Sequence, residues 1–244
     1  MLKSISVVFP LYNEEKRLKK LFSEISNQKI LKKKNIEFIF VNDGSNDESF
    51  NLINEFKNRN KNKINIKLIN YKQNKGKGYA IKKGVLLEKK KWLLTMDIEL
   101  SVKLNQIKIW KSRNYLFEEK DVYFGSRLLK NSKVNSKKYR ALTGRLFNII
   151  LGFLFDRKKL RIKDTQCGFK LYKNYIAKYI FKKSQESGYI QDVEILLLLL
   201  KKKILVEELP VTWSHKAGSK VNIFLDSVLM FFDLIKLKSK FIYR

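Results

Sequence analysis

Short apolar runs alternate with amphipathic stretches along the N-terminal part of the chain. The apolar runs are each short enough for a buried strand and occupy residues 5–10, 35–41, 64–70 and 92–96. The stretches between them carry apolar residues at helical spacing and occupy residues 14–26, 47–58 and 76–88. Strands that alternate with helices predict an α/β fold, in which helices cover both faces of a mostly parallel sheet.

The pattern in the remainder of the chain is less regular. We predict strands at 121–125 and 211–213, helices at 139–155 and 194–203, and one long or two short amphipathic helices at 221–241. A lysine- and serine-rich segment at 130–138 is predicted to be a mobile loop. Because no internal repeat and no linker divides the sequence, we predict a single domain over residues 1–244.

Polar residues follow each of the four N-terminal strands, at the point where the strand ends. They are Tyr12-Asn13-Glu14, Asn42-Asp43, Lys75 to Gly78 and Asp97-Ile98-Glu99. In open parallel sheets, ligands bind in the crevice beyond the carboxyl ends of the strands. Four polar strand ends together therefore predict a ligand site at this edge of the sheet more strongly than any one of them alone.

Asp97 and Glu99 lie one residue apart, directly after the apolar run Trp92 to Met96. Mg²⁺ takes oxygen ligands and often shares them with substrate phosphates. The pair therefore predicts a divalent cation that holds a diphosphate, with Ser101 as a further ligand directly or through water. The alternative is an ordinary turn at the end of a strand, because Asp-x-Glu is a common sequence.

Three other polar groups leave alternatives open. Asp43 is either a turn residue or helix cap, positions that Asp favours, or an acceptor for the N3–H of uracil. Lys75 to Gly78 is either a flexible turn or a phosphate cradle at a helix start. Asp192 and Glu194 are two residues apart and do not share a helical face. They are either surface residues, or one of them is a general base or a group that orients an acceptor.

Arginine is scarce in this chain, which draws attention to Arg127, Arg140 and Arg145. They are either salt-bridge partners or ligands of an acceptor phosphate, a group that Arg binds well. Lys220, in a polar cluster after the last predicted strand, is a further candidate for binding a phosphate. The apolar stretch Leu146 to Phe155 follows two of these arginines and is predicted to be a buried helix or a helix at a membrane surface.

The formal charge of +30 permits three interpretations: binding to nucleic acid, attraction to an anionic membrane surface, or a solvated surface with a biased composition. Lysine far outnumbers arginine, whereas nucleic-acid readers use Arg for bidentate contacts. Nucleic-acid binding also gives no reason for four polar strand ends, so we expect no nucleic-acid partner. The single cysteine, Cys167, fits a reducing compartment, and the single histidine, His215, argues against a His-built zinc site.

The motifs together resemble inverting family 2 glycosyltransferases, whose fold is called GT-A. The first four motifs lie at residues 7–14, 41–45, 74–78 and 96–101. Four later ones narrow the resemblance to the polyprenyl-phosphate glycosyltransferases, especially the dolichyl-phosphate glucosyltransferase branch, with dolichyl-phosphate mannose synthase as its nearest relative. They are Gly125-Ser126-Arg127, Asp164 to Lys170, Asp192-Val193-Glu194 and Gly218-Ser219-Lys220. The resemblance covers residues 4–236.

The resemblance implies roles for individual residues and a Rossmann-like sheet with amphipathic helices at the C-terminus. The residues implied to contact the nucleotide are Pro10, Tyr12, Glu14, Asp43, Lys75, Gly76 and Asp97. Asp97 and Glu99 would bind Mg²⁺ or Mn²⁺, although the family usually has Asp at the position of Glu99, whose longer arm changes the geometry. The remaining implied roles are acceptor-phosphate binding by Arg127, Arg140 and Lys220, and a catalytic role on the acceptor side for Asp192 and Glu194.

The implied activity is inverting transfer of a hexose, with glucose as the expected sugar, from a nucleotide sugar such as UDP-glucose to a polyprenyl or dolichyl phosphate. One alternative is transfer to a saccharide hydroxyl, for which Asp192 would be an essential base. The other is mannosyl transfer from GDP-mannose to a polyprenyl phosphate. Residues 1–101 would form the nucleotide-sugar half, 102–220 the acceptor half, and 221–244 an amphipathic helical segment.

A lipid acceptor implies contact with a membrane surface. No secretory signal is evident, and the sequence contains no run of about 20 apolar residues, the length that spans a bilayer. We therefore expect a cytoplasmic protein that binds the inner face of the membrane peripherally. The expected contacts are the amphipathic helices, with lysines toward anionic head groups. The alternative is that these helices are core or oligomer-contact helices.

Overall fold

The alternation of strands and helices is present in the computed structural model, which describes residues 3–28, 35–117, 119–135, 138–156, 160–216 and 223–242. Side chains are described in these ranges except at 138–146, 223–228 and 242. The N-terminal elements are β1 (Ile5–Leu11), α1 (Glu15–Asn27), β2 (Ile36–Asp43), α2 (Ser49–Arg59), β3 (Asn65–Tyr71), α3 (Lys77–Leu87) and β4 (Trp92–Thr95). The later elements are α4 (Gln106–Ser112), β5 (Val122–Ser126), β6 (Lys133–Asn135), α5 (Lys138–Phe155), β7 (Lys170–Lys173), α6 (Asn174–Lys183), α7 (Gln191–Lys201), β8 (Val206–Pro210), β9 (Thr212–Ser214) and α8 (Ile223–Ile242).

Seven strands form the central sheet in the order β3-β2-β1-β4-β7-β5-β8. Neighbouring strands run parallel except at β7, which is antiparallel to both β4 and β5. From β1 the chain builds outward through β2 and β3, and then places β4 on the other side of β1. Such a reversal of direction opens a crevice at the carboxyl ends of the two strands that flank it.

The central strands are buried on both faces, because successive side chains of a strand point to opposite layers. Val7 and Phe9 of β1 pack in one apolar core with Leu18 of α1. Val8, between them, packs in the other core with Ala80 of α3. Burial on both faces explains why these strands read as continuous apolar runs instead of alternating ones.

Four sequence predictions of element boundaries are wrong. Helix α2 begins at Ser49 instead of Asp47, whose carboxylate accepts a hydrogen bond from the Ser49 backbone N–H at 3.0 Å. Helix α7 begins at Gln191, three residues before the predicted start. Part of the predicted loop 130–138 forms β6, which pairs with β9. The predicted strand 211–213 corresponds to β9, which begins one residue later, and the preceding strand β8 was not predicted.

The sequence predictions omit helix α4, strand β7 and helix α6. Helix α4 is short, and two of its buried polar side chains hold the end of β8. The side-chain amide of Gln106 and the indole N–H of Trp110 both donate to the carbonyl of Pro210, at 3.2 and 2.8 Å. These contacts join the α4 region to the sheet and help to fix the wall of the crevice.

The C-terminal amphipathic segment is one helix, α8, which packs against α5. Both helices carry exposed apolar side chains, including Ile149 and Phe153 on α5 and Leu229 and Phe232 on α8. Within the described part of the chain, no helix is both long and apolar enough to cross a bilayer.

Candidate active site

A cleft of about 500 Å³ lies where β1 and β4 end. Both halves of the chain line it. The predicted site residues among its lining are Pro10, Tyr12, Glu14, Asp43, Gly76, Asp97, Glu99, Arg127 and Asp192. The reversal of strand order between β1 and β4 therefore gathers side chains that are far apart in sequence at one place.

Asp97 follows β4 and faces into the cleft. Its carboxylate pairs with the ammonium of Lys77, the first residue of α3, at 2.6 Å. Burial alone would raise the pKa of Asp97, but the charge and hydrogen bond of Lys77, together with the charges of Lys170 and Arg127, hold that pKa below its ordinary value. Gly168 lies so close that a methyl group there would sit 2.4 Å from Asp97 Oδ2. Asp97 is therefore an ionised carboxylate that only a glycine at 168 can accommodate.

Glu99 also lines the cleft, and the hydroxyl of Ser101 donates to its Oε1 at 2.6 Å. Asp97 and Glu99 offer the oxygen donors that Mg²⁺ or Mn²⁺ requires, and in this respect they fit a metal ion. Among the described residues, no group of three or more His, Cys, Asp or Glu side chains is arranged to hold a metal. A metal bound here would take its other ligands from diphosphate oxygens, from Ser101 or from water.

Asp43, at the end of β2, is buried and lines the same cleft. Its carboxylate accepts hydrogen bonds from the backbone N–H groups of Lys75 and Gly76, at 2.8 and 2.9 Å. Asp43 thus holds the loop before α3 as well as facing the ligand space. Lys75 contributes to this arrangement through its backbone, and its side chain lies over the ring of Tyr79.

At the start of α3, the candidate phosphate cradle, two backbone N–H groups are already bonded to protein. The backbone N–H groups of Gly78 and Tyr79 donate to the carbonyl of Ser187, at 2.6 and 3.2 Å, so the first turn is already capped by protein. A methyl group at Gly76 would lie 2.5 Å from the same carbonyl oxygen. The glycines are therefore required by the close approach of the 186–188 loop.

Arg127, at the end of β5, forms a bidentate pair with Asp164. Its Nε and one terminal nitrogen donate to the two carboxylate oxygens at 2.7 and 2.8 Å, and its backbone N–H donates as well. Burial would raise the pKa of Asp164, but Arg127 lowers it below its ordinary value. The guanidinium remains partly exposed to the cleft and lies 5.8 Å from the ring of Trp213. Its position is fixed, while part of it faces the ligand space.

Asp192, in the first turn of α7, faces the cleft opposite these groups. Its Oδ1 accepts a hydrogen bond from Lys170 of β7, whose side chain is only 1% exposed. Lys170 also donates to the carbonyl of Thr165 at 2.9 Å and lies over the ring of Phe124. A buried ammonium needs such partners. Asp192 therefore both lines the cleft and neutralises Lys170.

The model of the glycosyl transferase family 2 matches residues 6–181, which is most of the chain. The chain belongs to this family. The chain is 32% identical to the dolichyl-phosphate beta-glucosyltransferases of Dictyostelium discoideum and Saccharomyces cerevisiae. Both matches extend over 98% of this chain, and they cover 75% of the Dictyostelium protein and 76% of the Saccharomyces protein. The human dolichyl-phosphate beta-glucosyltransferase is 30% identical over the same share of the chain and 76% of its own length.

Solved structures share the fold of this family 2 glycosyltransferase. Glucosyl-3-phosphoglycerate synthase from Mycobacterium tuberculosis, in complex with UDP, superposes with a TM-score of 0.70 over 98% of this chain and 80% of its own, at 14% identity. The same enzyme with Mn²⁺, UDP and its product gives a TM-score of 0.68, at 15% identity. These likenesses confirm the predicted α/β fold of the GT-A type.

Four predicted site residues of the transferase are not among the described residues that line the cleft: Lys75, Glu194, Lys220 and Arg140. Glu194 is buried on the other side of α7, where its carboxylate accepts hydrogen bonds from Ser184 and from the backbone of Gln185 and Glu186, at 2.6 to 3.0 Å. It holds the loop that caps α3, so the expected place on the acceptor side is wrong. Lys220 lies outside the described residues, and Arg140 is on α5 where side chains are not described.

Two residues that line the cleft, Lys77 and Gly168, and two buried residues that hold its side chains, Asp164 and Lys170, were not assigned a role from the sequence. Lys77 and Gly168 stand inside motifs that carry the family resemblance, but the motif alone does not say which atoms they approach. A charged residue within the apolar run Phe169 to Tyr172 was the available indication that Lys170 has a buried partner. Cys167 also lines the cleft, and burial raises the pKa of its thiol to about 12, which leaves it a poor nucleophile.

Proposed function

We propose that this glycosyltransferase transfers glucose from UDP-glucose to a dolichyl or related polyprenyl phosphate. The observation that carries the proposal is that Asp97, which follows β4, and the fixed guanidinium of Arg127 line the same cleft. The first suits a nucleotide diphosphate, and the second suits an anionic acceptor. Relatives whose names describe this reaction match nearly the whole chain.

On the donor side, Pro10, Tyr12 and Asp43 line the part of the cleft formed by β1 and β2, where a nucleoside would lie against them. Glu14 also lines it, and Arg17 holds the Glu14 carboxylate with contacts of 2.6 and 2.8 Å. A Mn²⁺ or Mg²⁺ ion bound to Asp97 and Glu99 would supply positive charge that stabilises the departing diphosphate.

On the acceptor side, an ionised phosphate needs no strong base before its oxygen attacks the anomeric carbon. Arg127, oriented by Asp164, would bind that phosphate and position it for attack from the face opposite the nucleotide. Attack from that side inverts the anomeric configuration and gives a β-linked product from an α-linked donor. The Lys170 cation offsets the charge of Asp192, which would otherwise repel the acceptor phosphate.

The lipid acceptor would be reached by docking on the cytoplasmic face of a membrane. Phe153 and Ile149 of α5 are 87% and 62% exposed, and Leu229 and Phe232 of α8 are 61% and 59% exposed. Between the last two along α8, Met230 lines the cleft. Helix α8 therefore borders the site with one side and exposes apolar side chains on another, and the net charge of +30 favours an anionic surface.

The donor is tested by thermal stabilisation of the purified protein with a panel of nucleotide sugars in the presence of Mn²⁺. A ligand that binds the folded state raises the unfolding temperature by mass action. We expect UDP-glucose and UDP to stabilise the protein, and GDP-mannose to have no effect. Stabilisation by GDP-mannose alone would assign the enzyme to mannosyl transfer.

The acceptor class is tested by removing Asp192 and Lys170 together. Asp192→Asn alone leaves the buried Lys170 cation without its carboxylate, so it confounds stability with chemistry. The double variant Asp192→Asn with Lys170→Met removes both charges, and Lys170→Met alone is its control. We expect the double variant to keep transfer to polyprenyl phosphate within about tenfold of the Lys170→Met control. A loss of about 100-fold or more would indicate that Asp192 is a general base for a hydroxyl acceptor.

A further inference from the structure

Lys77 lines the cleft and forms an ion pair with Asp97, the carboxylate that is expected to bind the metal. Its ammonium contacts Asp97 Oδ1 at 2.6 Å, and both side chains are about one-third exposed, at 28% and 33%. Lys77 is therefore a cation in direct contact with the carboxylate that is expected to bind the metal.

A divalent ion and Lys77 compete for the same oxygen. Mg²⁺ bonds to carboxylate oxygen at about 2.0–2.1 Å, and an ammonium already on Oδ1 opposes it by charge and by space. Gly168 lies against both oxygens of Asp97: a methyl group there would be 2.4 Å from Oδ2 and 2.9 Å from Oδ1. Oδ2 is the oxygen more crowded by Gly168, and Lys77 occupies Oδ1.

The described residues of the cleft offer a metal ion few ligands that could replace the Asp97 oxygen held by Lys77. Glu99, the second carboxylate, is held at Oε1 by the Ser101 hydroxyl. The part of the chain that the structure describes contains no third acidic, His or Cys ligand arranged with these two. A metal ion gains enough ligands here only when a diphosphate brings its own oxygens.

Lys77 can leave Asp97, whereas the two arginines that line the cleft, Arg17 and Arg127, are each held by two hydrogen bonds to a neighbouring carboxylate. Lysine carries a point charge on a flexible four-carbon stem, and Lys77 stands at the first position of α3 beside the ligand space. Arg127 is fixed by two contacts to Asp164. Lys77 is therefore the cation suited to exchange a protein carboxylate for a diphosphate oxygen.

We propose that Lys77 keeps divalent metal off Asp97 until the nucleotide diphosphate enters, and that its ammonium then moves onto the diphosphate. The inference rests on the proposed function, in which Asp97 binds the metal. Metal and diphosphate then bind with positive coupling. The diphosphate draws the Lys77 ammonium away from Asp97 and so frees the carboxylate for the metal. The bound metal in turn neutralises Asp97, so that Lys77 is available to the diphosphate. A metal ion without nucleotide is held weakly, and the diphosphate is held by Lys77 as well as by the metal.

The test measures Mn²⁺ affinity by electron paramagnetic resonance, with and without UDP. We expect Lys77→Gln to bind Mn²⁺ without UDP about tenfold more tightly than the unaltered protein, and the gain in Mn²⁺ affinity on adding UDP to shrink by the same factor. Lys83→Gln is the matched control, because Lys83 lies on the same helix with its ammonium over the ring of Tyr79. It should leave both affinities unchanged.

A second measurement addresses the diphosphate contact, with the metal removed by chelation. Calorimetry should show that Lys77→Gln weakens UDP binding about tenfold and leaves UMP binding unchanged, because UMP lacks the second phosphate. The proposal is overturned if Lys77→Gln leaves the UDP-free Mn²⁺ affinity unchanged, or weakens UMP as much as UDP. If Asp97→Asn leaves Mn²⁺ binding with UDP intact, the metal site of the proposed function is wrong and this inference falls with it.

Discussion

Gly168 is the residue on which the geometry of Asp97 depends. A Cβ at this position would lie 2.4 Å from Asp97 Oδ2 and 2.8 Å from its carboxyl carbon, so one of the two must shift. We expect Gly168→Ala to reduce kcat for sugar transfer by about 100-fold, because small displacements of positioned groups are costly in catalysis. Steady-state kinetics and thermal unfolding would be measured together.

The matched control for Gly168→Ala is Gly188→Ala. Gly188 also lines the cleft, but a Cβ there would meet no atom within 4 Å among the described residues. Its substitution should leave kcat within about threefold. Equal losses in the two variants would show that general disturbance of the cleft, and not the Asp97 position, sets the rate.

Glu88, at the end of α3 and far from the cleft, makes stability depend on pH. Burial raises its pKa from 4.5 to about 7, against the opposing charge of Lys178 at 3.9 Å and with a contribution from Glu37. A carboxyl whose pKa is higher in the folded state binds more protons when folded, so stability falls as pH rises from about 4.5 to 7. We expect Glu88→Gln to stabilise the protein at pH 8, by up to about 3 kcal/mol, and to change little at pH 4.5.

Urea unfolding at the two pH values would measure the effect of Glu88→Gln. If the difference in unfolding free energy between the variant and the unaltered protein is the same at pH 4.5 and pH 8, Glu88 ionises normally in the folded state. Because Glu88 is remote from the cleft, transfer activity should remain unchanged in either case.

Single site residues could be predicted from the sequence where strand order alone places them. Asp43 and Asp97 each follow an apolar strand, and parallel strands bring their carboxyl ends to one edge. The pairs Arg127–Asp164 and Lys170–Asp192 could not be predicted, because their members are 37 and 22 residues apart and meet only in the folded sheet. Glu194 was predicted beside Asp192, but residues two apart on a helix point to different sides. The Glu194 side chain therefore points to the 184–186 loop and not into the cleft.

At the scale of elements, long strands and helices with regular periodicity were predicted well. β7 was missed because it has only four residues, too few to establish a pattern, and it runs antiparallel between β4 and β5. Helix α4 was missed because seven residues give too few turns to establish a period. Both are short elements whose stability comes from tertiary contacts.

The exposed apolar residues of α5 and α8 predict a direct contact of these two helices with lipid. We expect the double variant Phe153→Ser with Phe232→Ser to lower binding to vesicles containing phosphatidylserine by about tenfold or more, because apolar burial drives interfacial binding. Vesicle flotation at low and moderate salt would measure this binding. Added salt should weaken the vesicle binding of both the unaltered protein and the variant, because it screens the lysine charges.

Phe117→Ser is the control for the vesicle experiment, since Phe117 is also half exposed but precedes β5 instead of lying on α5 or α8. Vesicle binding that falls equally for the control, or that is unchanged in the double variant, would show that these helices do not form the membrane contact.

At the scale of the whole molecule, one sheet joins the donor-binding and acceptor-binding sides that we propose. Strands β1 to β4 bring the carboxylates of the donor side, and β5 and β7 bring Arg127 and Lys170 to the acceptor side. The positive charge of the chain and the exposed helices beside the cleft are consistent with an acceptor that is anionic at its reactive end and apolar elsewhere. The fold and the site thus lead to the same reaction class.

The most direct test is transfer of labelled glucose from UDP-glucose by the purified protein with Mn²⁺, offered polyprenyl phosphate and the matching polyprenol together. We predict that label enters the phosphate lipid alone as a β-glucosyl phosphate, which mild acid releases, and that Asp97→Asn abolishes transfer. Label in the polyprenol or in an added saccharide, with none in the phosphate lipid, would contradict the account.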